Sequence, residues 1–310
     1  MNTTPTKPPR NRLHTRRPHY RQAKRLTGIQ RICWLSDIHL SHLRTDDMSK
    51  VFGGYLRADY DFDSVVITGD IAEAHSLGAL LKLFADGIGT DKEVFYTLGN
   101  HDYYGSTIDA VNSALEKPLS LNLTWLDRSP PILLDEHTAL IGKFTWYDAL
   151  LGDADNSNVI LSDFTMVHDF KQVFTEYAWE RDVRGRDPLL AKLRMLAYQA
   201  VKELKETLLI ALKLRKNIIV ATHVPPFMEA CWHEGAISNE RWLPWFTCHQ
   251  LGKMLEQVSE AHPECKLLVL CGHTHSPGVF QRSHNLRVLT AKAVYGAPDV
   301  AGMLENAFDW

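Results

Sequence analysis

Histidine, aspartate and asparagine side chains recur in short clusters directly after apolar segments that predict strands. The clusters are, in chain order, Asp37 with His39, Asp70, Asn100 with His101 and Asp102, His223, and His273 with His275. Any one of them fits a tight turn or a hydrogen-bonded core residue. Their recurrence at five strand ends favours one shared site, because loops at the carboxyl ends of strands bring distant residues together.

The side-chain types in these clusters indicate metal ions. The candidate ligands are Asp37, His39, Asp70, Asn100, His223, His273 and His275. Imidazole, carboxylate and amide oxygen without thiolate suit Mn, Fe, Zn, Co or Ni rather than a cysteine zinc site or an all-oxygen calcium site. So many ligands suit two ions that share a bridging carboxylate. Two ions about 3.5–4 Å apart can clamp a phosphate, generate a hydroxide that attacks phosphorus, and stabilise the developing charge.

The elements that position these clusters alternate between strands and helices, which is typical of an α/β layered fold. The predicted strands before the clusters are Arg31–Ser36, Asp63–Thr68, Glu93–Leu98, Asn217–Thr222 and Lys266–Leu270. Helical periodicity predicts helices over Ser76–Ala85, Leu189–Leu214 and His249–Ala261. Shorter strands are predicted at Ile132–Leu134, Thr138–Ile141, Phe144–Trp146 and in a final meander over residues 278–293.

The chain of 310 residues shows no internal repeat and no linker within its body. We expect a disordered basic tail over residues 1–28 and a single domain over residues 29–310. An insertion with short helical pieces is predicted around residues 148–188. An irregular, aromatic-rich loop is predicted around residues 225–247.

Charge and composition exclude several classes of protein. The tail carries eight of the 34 basic residues and no acidic one, which leaves 26 basic against 37 acidic residues, a net charge of −11, in the body. This acidic body does not favour nucleic-acid binding, although the tail keeps it possible. No apolar run reaches the roughly 18 residues of a membrane span. The five cysteines form no CxxC pair and no secretory signal is visible, so we expect a cytoplasmic protein.

The complete set of motifs resembles the calcineurin-like metallophosphoesterase superfamily. The motifs are Asp37-x-His39, Gly69-Asp70, Gly99-Asn100-His101-Asp102, His223 and Gly272-His273-x-His275, and they span residues 30–295 in the superfamily's order. The resemblance implies a four-layer α-β-β-α sandwich of the metallophosphoesterase type. It places a centre of two metal ions at the carboxyl ends of the central strands.

Roles for the individual residues follow from the same resemblance. It implies that Asp37, His39 and His275 bind the first metal, that Asn100, His223 and His273 bind the second, and that Asp70 bridges them. His101 would stabilise the phosphate or protonate the leaving oxygen, and Asp102 would orient His101.

The motifs also separate this chain from several branches of the superfamily. Asp70-Ile71-Ala72-Glu73 lacks the Asp-Arg-Gly of protein phosphatases and the metal-binding tyrosine of purple enzymes. His101 stands where lipid A pathway hydrolases usually have arginine. We therefore expect hydrolysis of a small phosphodiester or phosphomonoester. A nuclease acting on nucleic acid and a non-catalytic metal-binding protein remain alternatives, and the oligomeric state stays open.

Aromatic and basic residues near the motifs are candidates for substrate contacts. They either line the site, where they could stack a base or an aromatic alcohol and hold phosphate, or pack their loops onto the body. These residues are His42, Arg44, Trp146, Tyr147, Trp232, His233, Arg241, Trp242, Trp245 and Phe246.

Overall fold

The structure is a computed structural model that describes residues 31–174 and 186–310. The predicted tail over residues 1–28 and part of the predicted insertion lie outside the described residues. No helix among the described residues is both long and apolar enough to cross a bilayer.

The strands of the described chain are short. They are β1 (Ile32–Leu35), β2 (Ser64–Thr68), β3 (Glu93–Thr97), β4 (Leu123–Trp125), β5 (Ile132–Leu133), β6 (Thr138–Gly142), β7 (Asn217–Ala221), β8 (Trp232–His233), β9 (Ala236–Ile237), β10 (Lys266–Cys271), β11 (Gly278–Ser283), β12 (Leu286–Thr290) and β13 (Gly302–Leu304).

Helices connect these strands. They are α1 (Asp47–Asp59), α2 (Leu77–Ile88), α3 (Ile108–Leu115), α4 (Asp163–Met166), α5 (His168–Lys171), α6 (Asp187–Leu214), α7 (Leu243–Phe246) and α8 (His249–Ala261).

The strands form two mixed sheets. The first has the order β13-β1-β2-β3-β4, in which β1 to β4 are parallel and β13 is antiparallel to β1. The second has the order β11-β12-β10-β7-β6-β5, with four parallel strands in the middle and an antiparallel strand at each edge. Because β1, β2, β3, β7 and β10 lie in parallel cores, the clusters that follow them start from the carboxyl ends of parallel strands.

Alternating side chains divide the core into layers. Trp34 and Val66 of the first sheet join Ile219 and Leu268 of the second in a buried cluster between the sheets. The opposite faces of the strands pack with the helices, and α1 packs closely on α2 while α6 packs on α8 and on β6 and β7. The fold is therefore the predicted α-β-β-α sandwich.

The structure corrects one predicted strand. Phe144–Trp146 follows β6 but pairs with no strand of the described chain. The Phe144 amide donates instead to the Asp127 carboxylate at 2.8 Å, and the Phe144 and Trp146 rings pack around Tyr103. The alternation that predicted a strand reflects aromatic packing of a connecting segment.

Other elements were not predicted, or only in part. Helices α1 and α3 and strands β4 and β13 are additional. The aromatic-rich loop over residues 225–247 contains the hairpin β8–β9 and the short helix α7, so it is partly regular. Helix α1 contains two adjacent glycines, which lower helix propensity and conceal the helix from a propensity argument.

One of these glycines, Gly53, lets α1 and α2 approach each other closely. A Cβ at Gly53 would lie 2.3 Å from the Phe84 carbonyl oxygen of α2, whereas a Cβ at Gly54 would meet nothing within 4 Å. Position 53 therefore has no room for a side chain, whereas position 54 of the same helix does.

Gly53→Ala should lower the free energy of unfolding by about 1–3 kcal/mol, because the added methyl group forces α1 away from α2. Gly54→Ala is the matched control and should raise it by about 0.5–1 kcal/mol through helix propensity alone. Urea denaturation of both variants, with metal supplied, measures the difference. Equal effects in the two variants would contradict the close approach of the helices.

Candidate metal centre

The first group of predicted ligands lies together at the carboxyl end of the first sheet. Asp37, His39, Asp70 and His275 each offer one ligand atom, and these atoms lie within 4.8 Å of one another. The Nε2 atoms of His39 and His275 are 3.2 Å apart, and His275 Nε2 is 3.3 Å from Asp37 Oδ1. Two imidazole nitrogens and a carboxylate oxygen that converge in this way fit a transition-metal ion.

The second group forms around His223. Its Nδ1 lies 2.9 Å from the Thr68 carbonyl oxygen and donates to it, so Nε2 faces the site. His223 Nε2 is 3.1 Å from Asn100 Oδ1. His273 shows the complementary arrangement, because its Nε2 lies 3.0 Å from the Trp245 carbonyl oxygen and Nδ1 is left for a ligand role. Backbone carbonyls thus orient both rings.

Asp70 lies between the two groups. Its Oδ2 is 3.9 Å from His39 Nε2, and its Oδ1 is 3.3 Å from His223 Nε2. The two oxygens of one carboxylate therefore face different groups, as a bridging ligand requires. This geometry brings all seven predicted ligands into one region.

The backbone of this region is held in an uncommon conformation. Eight non-glycine residues among those described have a positive φ, and five of them are the predicted ligands Asp37, His39, Asp70, His273 and His275, with φ between 41° and 70°. Non-glycine residues in the left-handed region cost on the order of 1–2 kcal/mol each. Such strain concentrated on candidate ligands is typical of a functional site.

Glycines of the motifs permit the carboxylates to approach the neighbouring backbone. A Cβ at Gly99 would lie 2.2 Å from Asp70 Oδ1, and a Cβ at Gly272 would lie 2.0 Å from Asp37 Oδ2. Any other residue at either position would displace a candidate ligand.

The electrostatics of the group reflect two buried carboxylates. Burial opposes ionisation of Asp37, but His223 and His275 outweigh burial and lower the pKa of Asp37 to about 2. Burial likewise opposes protonation of His223, but Asp70 and Asp37 outweigh it and raise the pKa of His223 to about 10. Without metal, the protonated His223 therefore balances part of the negative charge.

Two further histidines of the site, His39 and His273, remain neutral. Burial is the largest influence on both, and it lowers the pKa of His39 to about 3 and that of His273 to about 4. Neutral imidazole is the form that binds a metal ion, so these two rings need no deprotonation.

The His101 ring lies beside the group without taking part in its short contacts, although the His101 backbone amide donates to Asp70 Oδ1 at 2.9 Å. Its Nε2 is 3.8 Å from Asp70 Oδ2, and its ring stacks on Tyr104 at a centroid distance of 4.2 Å. The Asp102 carboxylate accepts hydrogen bonds from the backbone amides of Ile71, Ala72 and Gly99 at 2.7–2.8 Å. Asp102 thus ties the loops after β2 and β3 together, and its influence on His101 passes through the backbone.

Comparisons with known proteins bear on this geometry. The sequence profile of the calcineurin-like phosphoesterases matches residues 30–277, which is most of the chain. The chain belongs to the calcineurin-like phosphoesterase family. It is therefore a metal-dependent phosphoesterase, and the predicted resemblance is confirmed.

Two solved structures are similar to this chain. A dimetal phosphatase from Danio rerio is 14% identical, with a TM-score of 0.53 over 87% of this chain and 89% of that chain. The protein described as GAP50, the anchor in the inner membrane complex of Plasmodium, is 14% identical, with a TM-score of 0.45 over 88% of this chain and 77% of that chain. A comparison with curated protein sequences finds no significant match.

The mouth of this phosphoesterase site has an aromatic residue that the sequence patterns did not indicate. Tyr295 is 49% exposed, and its ring lies 4.3 Å from His39 and 4.8 Å from His275. His42, a candidate from the sequence, is exposed and lies 5.0 Å from Tyr295. In the sequence, Tyr295 is only an aromatic residue before Gly296 in an irregular segment, and this pattern does not indicate a site.

The other aromatic candidates divide into core and site residues. Trp146, Tyr147 and Trp245 are buried and pack the interior. Trp242 stacks on Phe246, and Phe246 meets the ring of His273 edge-on at 5.2 Å. The same half-buried group includes His233, whereas Trp232 lies in β8 and Arg44 and Arg241 are exposed.

Metal binding at the His223 group should release at least one proton per chain at pH 8, because the pKa of His223 is about 10 without metal and Nε2 must be free to bind. The affinity should therefore rise with pH below that value, by roughly tenfold per unit for each proton released. Calorimetry in buffers with different ionisation enthalpies measures the release.

His223→Asn should remove this proton release, whereas His39→Asn is the matched control and should retain it, since His39 is already neutral. Binding heats that do not depend on the buffer in the unmodified protein would contradict a protonated His223.

Proposed function

We propose that this phosphoesterase hydrolyses a small phosphodiester or phosphomonoester with two transition-metal ions. The observation that carries the proposal is Asp70, whose two oxygens face two separate groups of nitrogen and oxygen ligands. Asp37, His39 and His275 would hold the first ion, and Asn100, His223 and His273 would hold the second, with Asp70 shared. Mn, Fe, Zn, Co and Ni all suit these donor atoms.

The bound ions would supply a nucleophile derived from water and would neutralise charge on the phosphate. The chain's own residues contribute orientation and proton transfer. Thr68 and Trp245 hold the rings of His223 and His273 through their carbonyl oxygens. His101, which is 19% exposed at its side chain, is placed to donate a hydrogen bond to the phosphate or a proton to the leaving oxygen.

The surroundings of the site favour a small organic ester. Tyr295 and His42 lie on the side of the first group, and Phe246 with Trp242 lies on the side of the second. Their flat, partly exposed surfaces can contact the organic part of the substrate. The net charge of −11 outside the tail does not favour a nuclease. The five free cysteines, all buried, are consistent with a reducing compartment, and we propose a cytoplasmic location.

A hydrolysis screen tests the function. Mn-loaded protein should hydrolyse at least one member of a panel of phosphomonoesters, cyclic nucleotides and dinucleotides, with short DNA included for the nuclease alternative. Exhaustive chelation should abolish the activity, and added metal should restore it. Activity that persists after complete chelation would reject a metal-dependent mechanism, and preferential cleavage of DNA would favour the nuclease.

The bridging assignment predicts different metal contents in two variants. Fully loaded protein should contain about two ions per chain. Asn100→Ala should lower this to about one, because only the second group loses a ligand. Asp70→Ala should weaken both sites, because each loses an anionic oxygen. Elemental analysis after gel filtration gives the contents, and full occupancy in Asp70→Ala would show that Asp70 does not bridge.

His101→Ala separates metal binding from proton transfer. The variant should keep both ions and lose much of the ~10²–10⁴-fold that general acid catalysis provides on an alkyl ester. The loss should be clearly smaller on the p-nitrophenyl analogue, whose leaving group hardly needs a proton. Equal losses on both esters would show instead that His101 stabilises charge on the phosphate.

A further inference from the structure

A buried carboxylate outside the metal centre contacts a tyrosine that packs on one of the site's histidines. Asp163, the first residue of α4, is 2% exposed, and none of the sequence motifs includes it. Burial raises the pKa of its carboxyl group, with no ion pair to a lysine or arginine within residues 31–174 and 186–310. A carboxylate in such surroundings lowers stability unless its contacts compensate.

The contact that Asp163 makes leads directly to His101. The Tyr104 hydroxyl donates to Asp163 Oδ2 at 3.0 Å. The Tyr104 ring stacks on the His101 ring at 4.2 Å with an interplanar angle of 27°. Asp163, Tyr104 and His101 therefore form a continuous chain from α4 to the edge of the metal centre.

The backbone fastens α4 and α5 to the same loop. The Gly105 amide donates to the Met166 carbonyl oxygen at 2.9 Å, and the His168 amide donates to the Ser106 carbonyl oxygen at 2.9 Å. The position of Asp163 relative to Tyr104 is thus defined by the backbone as well as by the side-chain hydrogen bond.

His101 receives little other support. The Asp102 carboxylate is occupied by three backbone amides and makes no hydrogen bond with the His101 ring in the described part of the chain. Besides Tyr104, the ring meets His39 edge-on at 4.8 Å and Tyr295 at a longer 6.1 Å, and its Nε2 lies 3.8 Å from Asp70 Oδ2. The stack on Tyr104 is therefore the contact best suited to fix the plane of the His101 ring.

Asp163 also lies close to a second buried tyrosine of the site. Burial raises the pKa of the Tyr147 hydroxyl, and the neighbouring Asp163 carboxylate raises it further. The Tyr147 ring stacks on the His273 ring at a centroid distance of 6.0 Å and an interplanar angle of 18°. The carboxylate is therefore adjacent to two tyrosines that pack on histidines of the site, which favours a positioning role.

We propose that Asp163 is a positioning residue, which holds Tyr104 against His101 and thereby fixes the His101 ring beside the reacting phosphate. The expected effect of Asp163 on turnover rests on the proposed phosphoester hydrolysis. The arrangement of the His101 ring can be measured independently of turnover.

Three substitutions separate the elements of the contact. Asp163→Leu removes the acceptor, and Tyr104→Phe removes the donor but keeps the stacked ring. Asp163→Asn retains an acceptor oxygen for Tyr104. Asp148→Asn is the control, because Asp148 is also fully buried but accepts hydrogen bonds from the Leu150 and Gln250 amides, away from His101.

Asp163→Leu and Tyr104→Phe should each lower kcat on an alkyl phosphate ester by roughly tenfold, with a smaller loss on the p-nitrophenyl ester, because a misplaced acid harms the poorer leaving group more. Asp163→Asn should retain most of the activity. In the His101→Ala background none of these changes should lower kcat further, since the group they position is absent. Metal content and the leaving-group ratio of Asp148→Asn should match the unmodified protein.

Imidazole NMR signals provide a second measurement. The ring-proton shifts of His101 should move in Asp163→Leu and Tyr104→Phe and should stay in place in Asp163→Asn. This test holds even if none of the esters is hydrolysed, a result that would reject the proposed function alone. Unmoved His101 signals, loss of metal in Tyr104→Phe, or equal kcat losses with and without His101 would each overturn the positioning role.

Discussion

Two buried aspartates that both remain ionised are the constraint around which this site is organised. Asp37 and Asp70 are each 1% exposed, and each raises the energy of the other's charge. Without metal, the raised pKa of His223 keeps a compensating proton in the same place. Because a proton offsets only one of the two negative charges, these ligands are better matched to metal cations of higher charge. Metal binding relieves the repulsion between the buried carboxylates, and this relief contributes to the affinity for metal.

The fold stabilises this energetically unfavourable arrangement of the ligands in two ways. The parallel registers of β1 with β2 and of β7 with β10 bring the loops that carry the ligands to the ends of neighbouring strands. Within those loops, left-handed backbone at five of the predicted ligands turns their side chains inward, and Gly99 and Gly272 leave room for the carboxylates. The energy for this strain comes from the layered core, whose central strands are almost completely buried.

The strands before the motifs and the ligand residues could be predicted because periodicity and residue type are local properties of the sequence. Helix α1 could not, since Gly53 is selected by contact with α2, which overrides helix propensity. Phe144 and Trp146 imitate a strand because their rings serve a shared aromatic cluster. The partners of His223 and His273 are backbone carbonyls, and any residue type supplies a carbonyl, so no sequence pattern reveals them.

The residues around the metal centre come from other segments of the chain than the candidate ligands do. The candidate ligands follow strands of the two sheets, whereas Asp163 comes from the segment between β6 and α6, and Tyr295 comes from the segment between β12 and β13. Loops of this kind can change without disturbing the sheets. The fold can thus be shared at 14% identity, while the residues of such loops can differ from one relative to another. We therefore expect substrate choice to depend on such loops, including the one that carries Trp242 and Phe246, rather than on the motifs.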